Sequence, residues 1–203
     1  MLLAPACAVV LGGCGVTVAW RFGLFNSDGR FDDVDACKLM PDAPTLAPLV
    51  SNGSREPGDS KPDGLFGWAG DARSECKWSS VPRRVDQPFR TVRVFAKTAH
   101  ATTDQTGPER ATEDLEIWYS NRVRRDQEVT AADVGEKGYQ TIDKTSIVIV
   151  LARIDVFDIH TKFRISNVVI DVSARTHDQP NDKKKAQVTA LATAVAERLK
   201  SLN

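Results

Sequence analysis

The sequence predicts an α+β fold, in which helices pack on an antiparallel sheet, preceded by an N-terminal membrane helix. Residues 89–98 alternate between apolar and polar side chains, which is typical of a strand with one buried face. Near the carboxyl end, Val188, Leu191, Val195 and Leu199 recur at helical spacing and form one apolar face. The start of the chain has no charged side chains, and this predicts the membrane helix.

The N-terminal segment has no charged side chain before Arg21. Because about twenty helical residues span about 30 Å, the thickness of a bilayer core, we assign residues 1–25 to a membrane anchor or signal segment. A cleaved signal peptide, a lipoprotein lipidated at Cys14 after Leu11-Gly12-Gly13, and an uncleaved anchor are the alternatives. The length favours the uncleaved anchor, with the lipoprotein second. Either would hold the domain on the extracytoplasmic side of the cell membrane.

The charge balance limits the possible partners, and the cysteines indicate the compartment. Lys plus Arg and Asp plus Glu are both 27, so the chain has no overall basic field for nucleic acid. Of the four cysteines, Cys7 and Cys14 lie in the apolar segment, whereas Cys37 and Cys76 lie in the polar remainder. Two such thiols outside the cytoplasm usually pair, so we predict a disulfide closing a loop of about 40 residues. The alternative is two buried free cysteines.

The chain divides after the membrane segment into a short spacer and one domain. Residues 26–34 are polar and are assigned to the spacer, and residues 35–203 are assigned to the extracytoplasmic α+β domain. Asp35 suits the N-cap of a short helix that Pro41 ends, and residues 44–50 suit a second short helix.

A turn-rich loop is predicted over residues 51–71, where Asn-Gly and Pro-Gly pairs occur. Trp68 in this loop is the one aromatic residue expected to be exposed. It would either pack on the disulfide or contact a partner.

The remaining elements follow from periodicity. Strands are predicted at residues 73–79 and 89–98, and in the second of these Thr91, Arg93 and Lys97 share the face opposite to the buried one. Thr106 and Glu109 have the spacing of a capping box, which predicts a helix over residues 106–125. The last helix is predicted from Asp182 to Leu202.

Two apolar runs predict further strands. Residues 147–154 are β-branched and apolar, as in a central strand, and residues 139–142 suit a short strand before it. Residues 163–174 predict one strand with a bulge near Ser166-Asn167, because the apolar phase changes there.

Several ordered motifs together resemble one family. They are Asp35-x-Cys37-x-Leu39-Met40-Pro41, Glu75-Cys76-Lys77-Trp78, Gly135-Glu-Lys-Gly-Tyr139, Phe163-Arg-Ile-Ser-Asn-Val-Val-Ile170 and a closing Ala/Leu-rich helix. The set resembles the exported lipoproteins and membrane-anchored proteins of actinobacteria, high-GC Gram-positive bacteria, that are classed as domain of unknown function 3558. The resemblance implies a Cys37–Cys76 disulfide and a PsbP-like α/β sandwich, and it implies no activity. The chain departs from the family after Cys14, where apolar residues stand in place of a polar tether.

No catalytic, metal or cofactor motif is found. The chain has no Gly-x-Ser-x-Gly elbow, no phosphate-binding Gly-x-x-x-x-Gly-Lys and no dinucleotide fingerprint. His160 follows Asp155 and Asp158, which would allow a metal site, but the spacing better suits a solvated turn between two strands. We therefore expect no catalytic, metal-ligating or cofactor-binding residue and no cofactor.

Two functions are expected from this pattern. The first is a non-enzymatic, envelope-associated binding or accessory module that contacts an envelope protein or a lipid-like ligand. The second is a small-molecule or lipid carrier with a pocket between the sheet and the helices. A hydrolase would need convergent histidine or carboxylate groups in a cleft.

Overall fold

A computed structural model of the chain describes residues 26–56, 60–62, 70–80, 90–149 and 152–202. The elements of these ranges are, in chain order, α1 Ala36–Leu39, α2 Ala43–Leu46, β1 Ser54–Glu56, β2 Ser60–Pro62, β3 Ala72–Ser80, β4 Arg90–Thr98, α3 Gly107–Val123, β5 Val129–Ala131, β6 Lys137–Ile149, β7 Ala152–Ile165, β8 Val168–Thr176 and α4 Asp182–Lys200.

The strands of the described residues form one eight-stranded sheet in the order β1-β3-β4-β8-β7-β6-β5, and β2 also pairs with β3. Each of these pairings is antiparallel. The predicted α+β class, an antiparallel sheet with helices packed on it, is therefore confirmed.

The main core lies on the face of the sheet that α1, α2 and α4 cover. Alternation along β4 and β8 directs Val94 and Ile170 into this core, where they meet Leu39 of α1 and Val195 of α4. Burying each such side chain stabilises the fold by about 1.5–3 kcal/mol. The Cys37–Cys76 disulfide joins α1 to β3 on this same face.

The opposite face is only partly covered, by α3. The capping box of Thr106 and Glu109 forms as predicted, and the helix ends at Val123, two residues before the predicted end. Ala111 packs with Ala99 and Val169 in a small second core beneath the start of α3. The part of this face nearest β1 and the end of β8 lies beyond the helix.

The hairpin between β7 and β8 corrects the predicted bulge. Ser166 and Asn167 form a two-residue turn, with φ of 51° at Ser166, and Ile165 pairs with Val168. The predicted single strand over residues 163–174 is therefore two antiparallel strands. The change of apolar phase arises because the chain reverses there, so that Phe163 and Ile170 face the same core.

The predicted central strand over residues 147–154 is also two strands. Its described residues divide between the end of β6 and the start of β7, and Ile149 pairs with Ala152. The predicted short strand at residues 139–142 lies within β6, which is 13 residues long. Apolar β-branched composition alone does not reveal where a hairpin turns.

Residues 26–34, assigned to a spacer from the sequence, pack on the domain. Phe31 and Val34 are buried in the main core. Gly29 has φ of +112°, and a Cβ there would lie 2.5 Å from the side chain of Asn167, so glycine fits both the backbone and the space. The segment thus contributes to the folded unit.

The predicted loop over residues 51–71 contains two short strands, β1 and β2, which pair with β3. Trp68 lies outside the described residues, as do Cys14 and the predicted membrane segment at residues 1–25. None of the helices in the described ranges combines the length and apolarity needed to cross a bilayer.

Candidate functional site

The open face of the sheet carries mainly polar side chains along its central strands, together with Phe95 and Val169. On β3, Cys76 faces the main core, so its neighbours Glu75 and Lys77 face the other way. Arg93 of β4 and Ser173 of β8 lie on the same face by strand pairing. This face was anticipated in the alternation of residues 89–98.

A groove of about 330 Å³ lies on this face beside the C-terminal half of α3. Five strands supply its lining, which is Glu56, Lys77, Ser79, Thr91, Arg93, Asp158, His160, Ser173 and Arg175. This volume falls within the range of pockets that hold small molecules.

Cross-strand pairing arranges the lining in two rows. The first row runs through Glu56, Lys77, Arg93, Ser173 and His160, each paired with the next. The second row runs alongside it through Ser79, Thr91, Arg175 and Asp158. Each strand thus contributes adjacent polar groups at fixed spacing, on a rigid base.

Lys77 and Arg93 form a like-charged pair in the first row. They are direct cross-strand partners, an arrangement that destabilises a sheet unless another charge offsets it. Glu75 provides that charge to both: its Oε1 lies 2.6 Å from Lys77 Nζ, and its Oε2 lies 3.5 Å from Arg93 Nε. One carboxylate therefore serves two cations.

The guanidinium of Arg93 is incompletely bonded. Its Nε is buried and has no hydrogen-bond partner among the described residues, since the 3.5 Å approach to Glu75 is an ion pair without hydrogen-bond geometry. A buried donor without a partner costs about 1–3 kcal/mol. Arg90 and Arg164, which are not in the lining of the groove, also have a buried Nε in this state.

Arg175 and Asp158 form a closed pair at the other side of the groove. Arg175 Nε and one terminal nitrogen donate to the two carboxylate oxygens of Asp158, at 2.8 and 2.9 Å. This bidentate contact orients both side chains. The pair therefore fixes one wall of the groove.

His160 lies at the base of the groove, with its side chain 14% exposed. Nδ1 is 3.1 Å from Asp171 Oδ1, and Nε2 is 3.5 Å from Asp143 Oδ2. Burial alone would lower the pKa of His160, but the Asp171 and Asp143 carboxylates outweigh it and raise the pKa above its ordinary value. The groove therefore favours the imidazolium.

Asp171 and Lys162 continue this network beneath α3. Burial would raise the pKa of Asp171, but His160 and Lys162 outweigh it and lower the pKa. Burial lowers the pKa of Lys162 despite the nearby carboxylates, and its Nζ lies 5.3 Å from the ring centroid of Trp118. Trp118 of α3 lies against this charged layer, with the cationic groups of Lys162 and Arg122 over its ring.

Among the described residues named from the sequence, Lys77, Thr91, Arg93, Asp158 and His160 line the groove. Cys37 and Cys76 form the predicted disulfide on the opposite face of the sheet. His160 was expected in a solvated turn but lies within β7, because β7 extends from Ala152 to Ile165. The described part of the chain contains no cluster of three or more His, Cys, Asp or Glu side chains that could hold a metal ion.

Most groove residues had no detectable signature in the sequence. Lys77, Thr91 and Arg93 are adjacent only because β3 pairs with β4, and Arg175 joins them through β8. Alternation reveals which residues share a face of one strand, but it does not reveal which strands are neighbours.

Comparison of the chain with family models, curated proteins and solved structures found no match.

Proposed function

We propose that this chain is a non-enzymatic binding module of the cell envelope that holds its ligand or partner in the groove on the open face of the sheet. The observation that carries the proposal is a groove of about 330 Å³ whose lining includes the partly exposed side chains of Lys77 and Arg93. A rigid sheet that presents polar groups at fixed spacing is suited to recognition.

The proposal includes the extracytoplasmic location. Residues 1–25 would tether the domain to the cell membrane as a single-pass anchor, or Cys14 would carry a lipid. The Cys37–Cys76 disulfide supports this location, because disulfides persist in oxidising compartments. The resemblance to domain of unknown function 3558, with its PsbP-like sandwich, supports the same assignment.

The location is tested by thiol labelling of intact cells. A membrane-impermeant thiol reagent is applied with and without prior reduction, and modification at Cys37 and Cys76 is mapped by mass spectrometry. Labelling only after reduction is the expected result. Labelling of unreduced protein only after lysis would indicate a cytosolic thiol protein and would overturn the location.

The role of the groove is tested by cross-linking in intact cells. Wild-type protein is compared with Arg93→Gln and with the control Arg55→Gln, which removes an exposed arginine from the other face of the sheet. We expect cross-linked partners or retained ligands to be lost from Arg93→Gln and kept by Arg55→Gln. Identical products from all three proteins would exclude the groove as the binding site.

A small-molecule carrier is the second candidate function, and the volume of the groove favours it. The groove lies on the open face, however, whereas the sequence predicts a pocket between the sheet and the helices. Its lining of Lys77, Arg93 and Arg175 suits a polar ligand better than a lipid chain.

A further inference from the structure

We propose that the groove binds a small hydroxylated acid, whose carboxylate or phosphate is held by Arg93 and Lys77. This inference rests on the proposed function of the groove and adds the chemical class of its ligand. It is built from the charges, the hydrogen-bonding groups and the size of the groove.

The charges identify the end of the groove that takes the acid. Lys77 and Arg93 are neighbours across two paired strands and share the carboxylate of Glu75, and Glu56 is the partner of Lys77 on its other side. An oxyanion between them would contact two cationic side chains that are 45% and 37% exposed, as a carboxylate or phosphate does beside paired cations elsewhere. The Arg175–Asp158 pair is already closed and does not compete for this role.

The shape of the Arg93 guanidinium suits the same position. Arg93 Nε is buried without a hydrogen-bond partner among the described residues. A guanidinium presents its donors in a planar fork that matches the oxygens of a carboxylate or phosphate. The Arg93 side chain is 37% exposed although its Nε is buried, so an oxyanion in the groove would bind at the terminal nitrogens of this fork.

The remaining lining accounts for the hydroxyl groups of the ligand. The lining includes the hydroxyls of Ser79, Thr91 and Ser173, which both donate and accept, and the carboxylate of Glu56, which only accepts. The Ser79 hydroxyl is buried and bonds to that of Thr91 at 3.3 Å, so it orients the Thr91 hydroxyl. Such a mixture recognises alcohol groups, which also donate and accept. Because the groove holds about 330 Å³, it suits a ligand of roughly monosaccharide size.

The test is calorimetric titration of the purified full-length chain in detergent micelles. The probes are glucuronate, a hexose phosphate, glucose and inorganic phosphate. We expect glucuronate and the hexose phosphate to bind at least about tenfold more tightly than glucose, since only they carry an oxyanion. Inorganic phosphate is expected to bind more weakly than the hexose phosphate, since it lacks the hydroxylated part.

Variants locate the binding. Arg93→Gln is expected to lower the affinity for glucuronate about tenfold or more. The affinity of Arg93→Lys is expected to lie between those of Arg93→Gln and wild type, because lysine keeps the charge but lacks the planar fork of donors. Arg55→Gln is expected to bind as wild type does. Circular dichroism and urea unfolding of each variant establish that it is folded.

Two sources of the acid are distinguished by a further pair of probes, free glucuronate and an oligosaccharide ending in the same uronic acid. Tighter binding of the free acid would indicate a soluble small molecule as the ligand. Tighter binding of the oligosaccharide would indicate an envelope glycan whose acidic end enters the groove.

The failures of the two proposals are separable. Equal binding of glucose and glucuronate would overturn the acidic class, and equal binding of inorganic phosphate and the hexose phosphate would overturn the hydroxylated part. A ligand of another class that is found by native mass spectrometry and lost from Arg93→Gln would overturn this inference and leave the groove as the binding site. Both proposals are overturned if no probe binds, no ligand co-purifies, and wild type and Arg93→Gln give the same cross-linked products.

Discussion

His160 on β7 and Asp171 on β8 form an ion pair at the base of the groove, with Nδ1 3.1 Å from Oδ1. Asp171 is buried, so its charge interacts strongly with the imidazolium and holds it in place. The pair connects the groove to the charged layer beneath α3, which also contains Asp143 and Lys162.

The pair makes the stability of the domain depend on pH. The folded-state pKa of His160 is raised above its unfolded value of about 6.5, so the stabilisation is fully present below about pH 6.5 and is lost as the pH rises through the folded pKa. We expect the free energy of unfolding in urea to decrease over that window in wild type and not in His160→Gln. His100→Gln serves as the control and should keep the wild-type decrease. A wild-type profile that is flat above about pH 6.5 would contradict the assignment.

Asp71 holds two cations where β3, β4 and α3 meet. Its carboxylate lies 2.6 Å from Arg110 Nη1 and 2.8 Å from Lys97 Nζ, and it is 8% exposed. Burial would raise the pKa of Asp71, but Lys97 and Arg110 outweigh it and lower the pKa. Asp71→Asn should lower the free energy of unfolding by about 2–4 kcal/mol, because it leaves partly buried cations without their shared carboxylate.

The control for Asp71 is Asp182→Asn, at a fully exposed position on α4 that is 3.7 Å from Lys185. This change should cost less than about 1 kcal/mol, since surface ion pairs contribute little. Urea unfolding at neutral pH compares the two variants with wild type. Similar losses from both would mean that Asp71 is no more than a surface carboxylate.

The disulfide provides a second source of stability. Cys37 and Cys76 are 39 residues apart, and Cys76 is fully buried. Replacing both by serine should lower the free energy of unfolding by about 3–4 kcal/mol, mainly because the unfolded chain gains freedom. Reductant should destabilise wild type and leave Cys37→Ser/Cys76→Ser unchanged. If reductant shifted the two proteins equally, the stabilisation would not come from this bond.

Local chemistry explains which parts of the fold could be predicted from the sequence. Asp35 caps α1 by accepting a hydrogen bond from the backbone N–H of Cys37, and Thr106 and Glu109 cap α3 reciprocally. These contacts involve residues within three positions of each other, so the sequence displays them directly. The apolar stripe of α4 is equally local.

Strand pairing explains what could not be predicted. The turn at Ser166-Asn167 interrupts an apolar run without glycine or proline, so composition does not distinguish it from a bulge. The groove depends on pairings between β3, β4, β8 and β7, which join residues far apart in the chain. Arg93 was recognised on the polar face of its strand, but its neighbours there were not.

Asn167 connects this turn to the N-terminal segment. The side chain is fully buried: its Nδ2 donates to the carbonyl oxygens of Phe31 and Ala99, at 2.8 and 3.2 Å, and its Oδ1 accepts from Phe31 N–H at 3.0 Å. Asn167→Ala would leave these backbone groups buried without that partner, so we expect a loss of about 2–4 kcal/mol in the free energy of unfolding. Asn121→Ala, at an exposed position on α3, should change the free energy of unfolding by less than about 0.5 kcal/mol.

Because residues 26–34 are attached through Asn167, hydrogen exchange at the Phe31 amide and proteolysis within this segment should both accelerate in Asn167→Ala and not in Asn121→Ala. Unchanged exchange at Phe31, together with a loss below about 1 kcal/mol, would show that the core contacts of Phe31 and Val34 hold the segment without the asparagine.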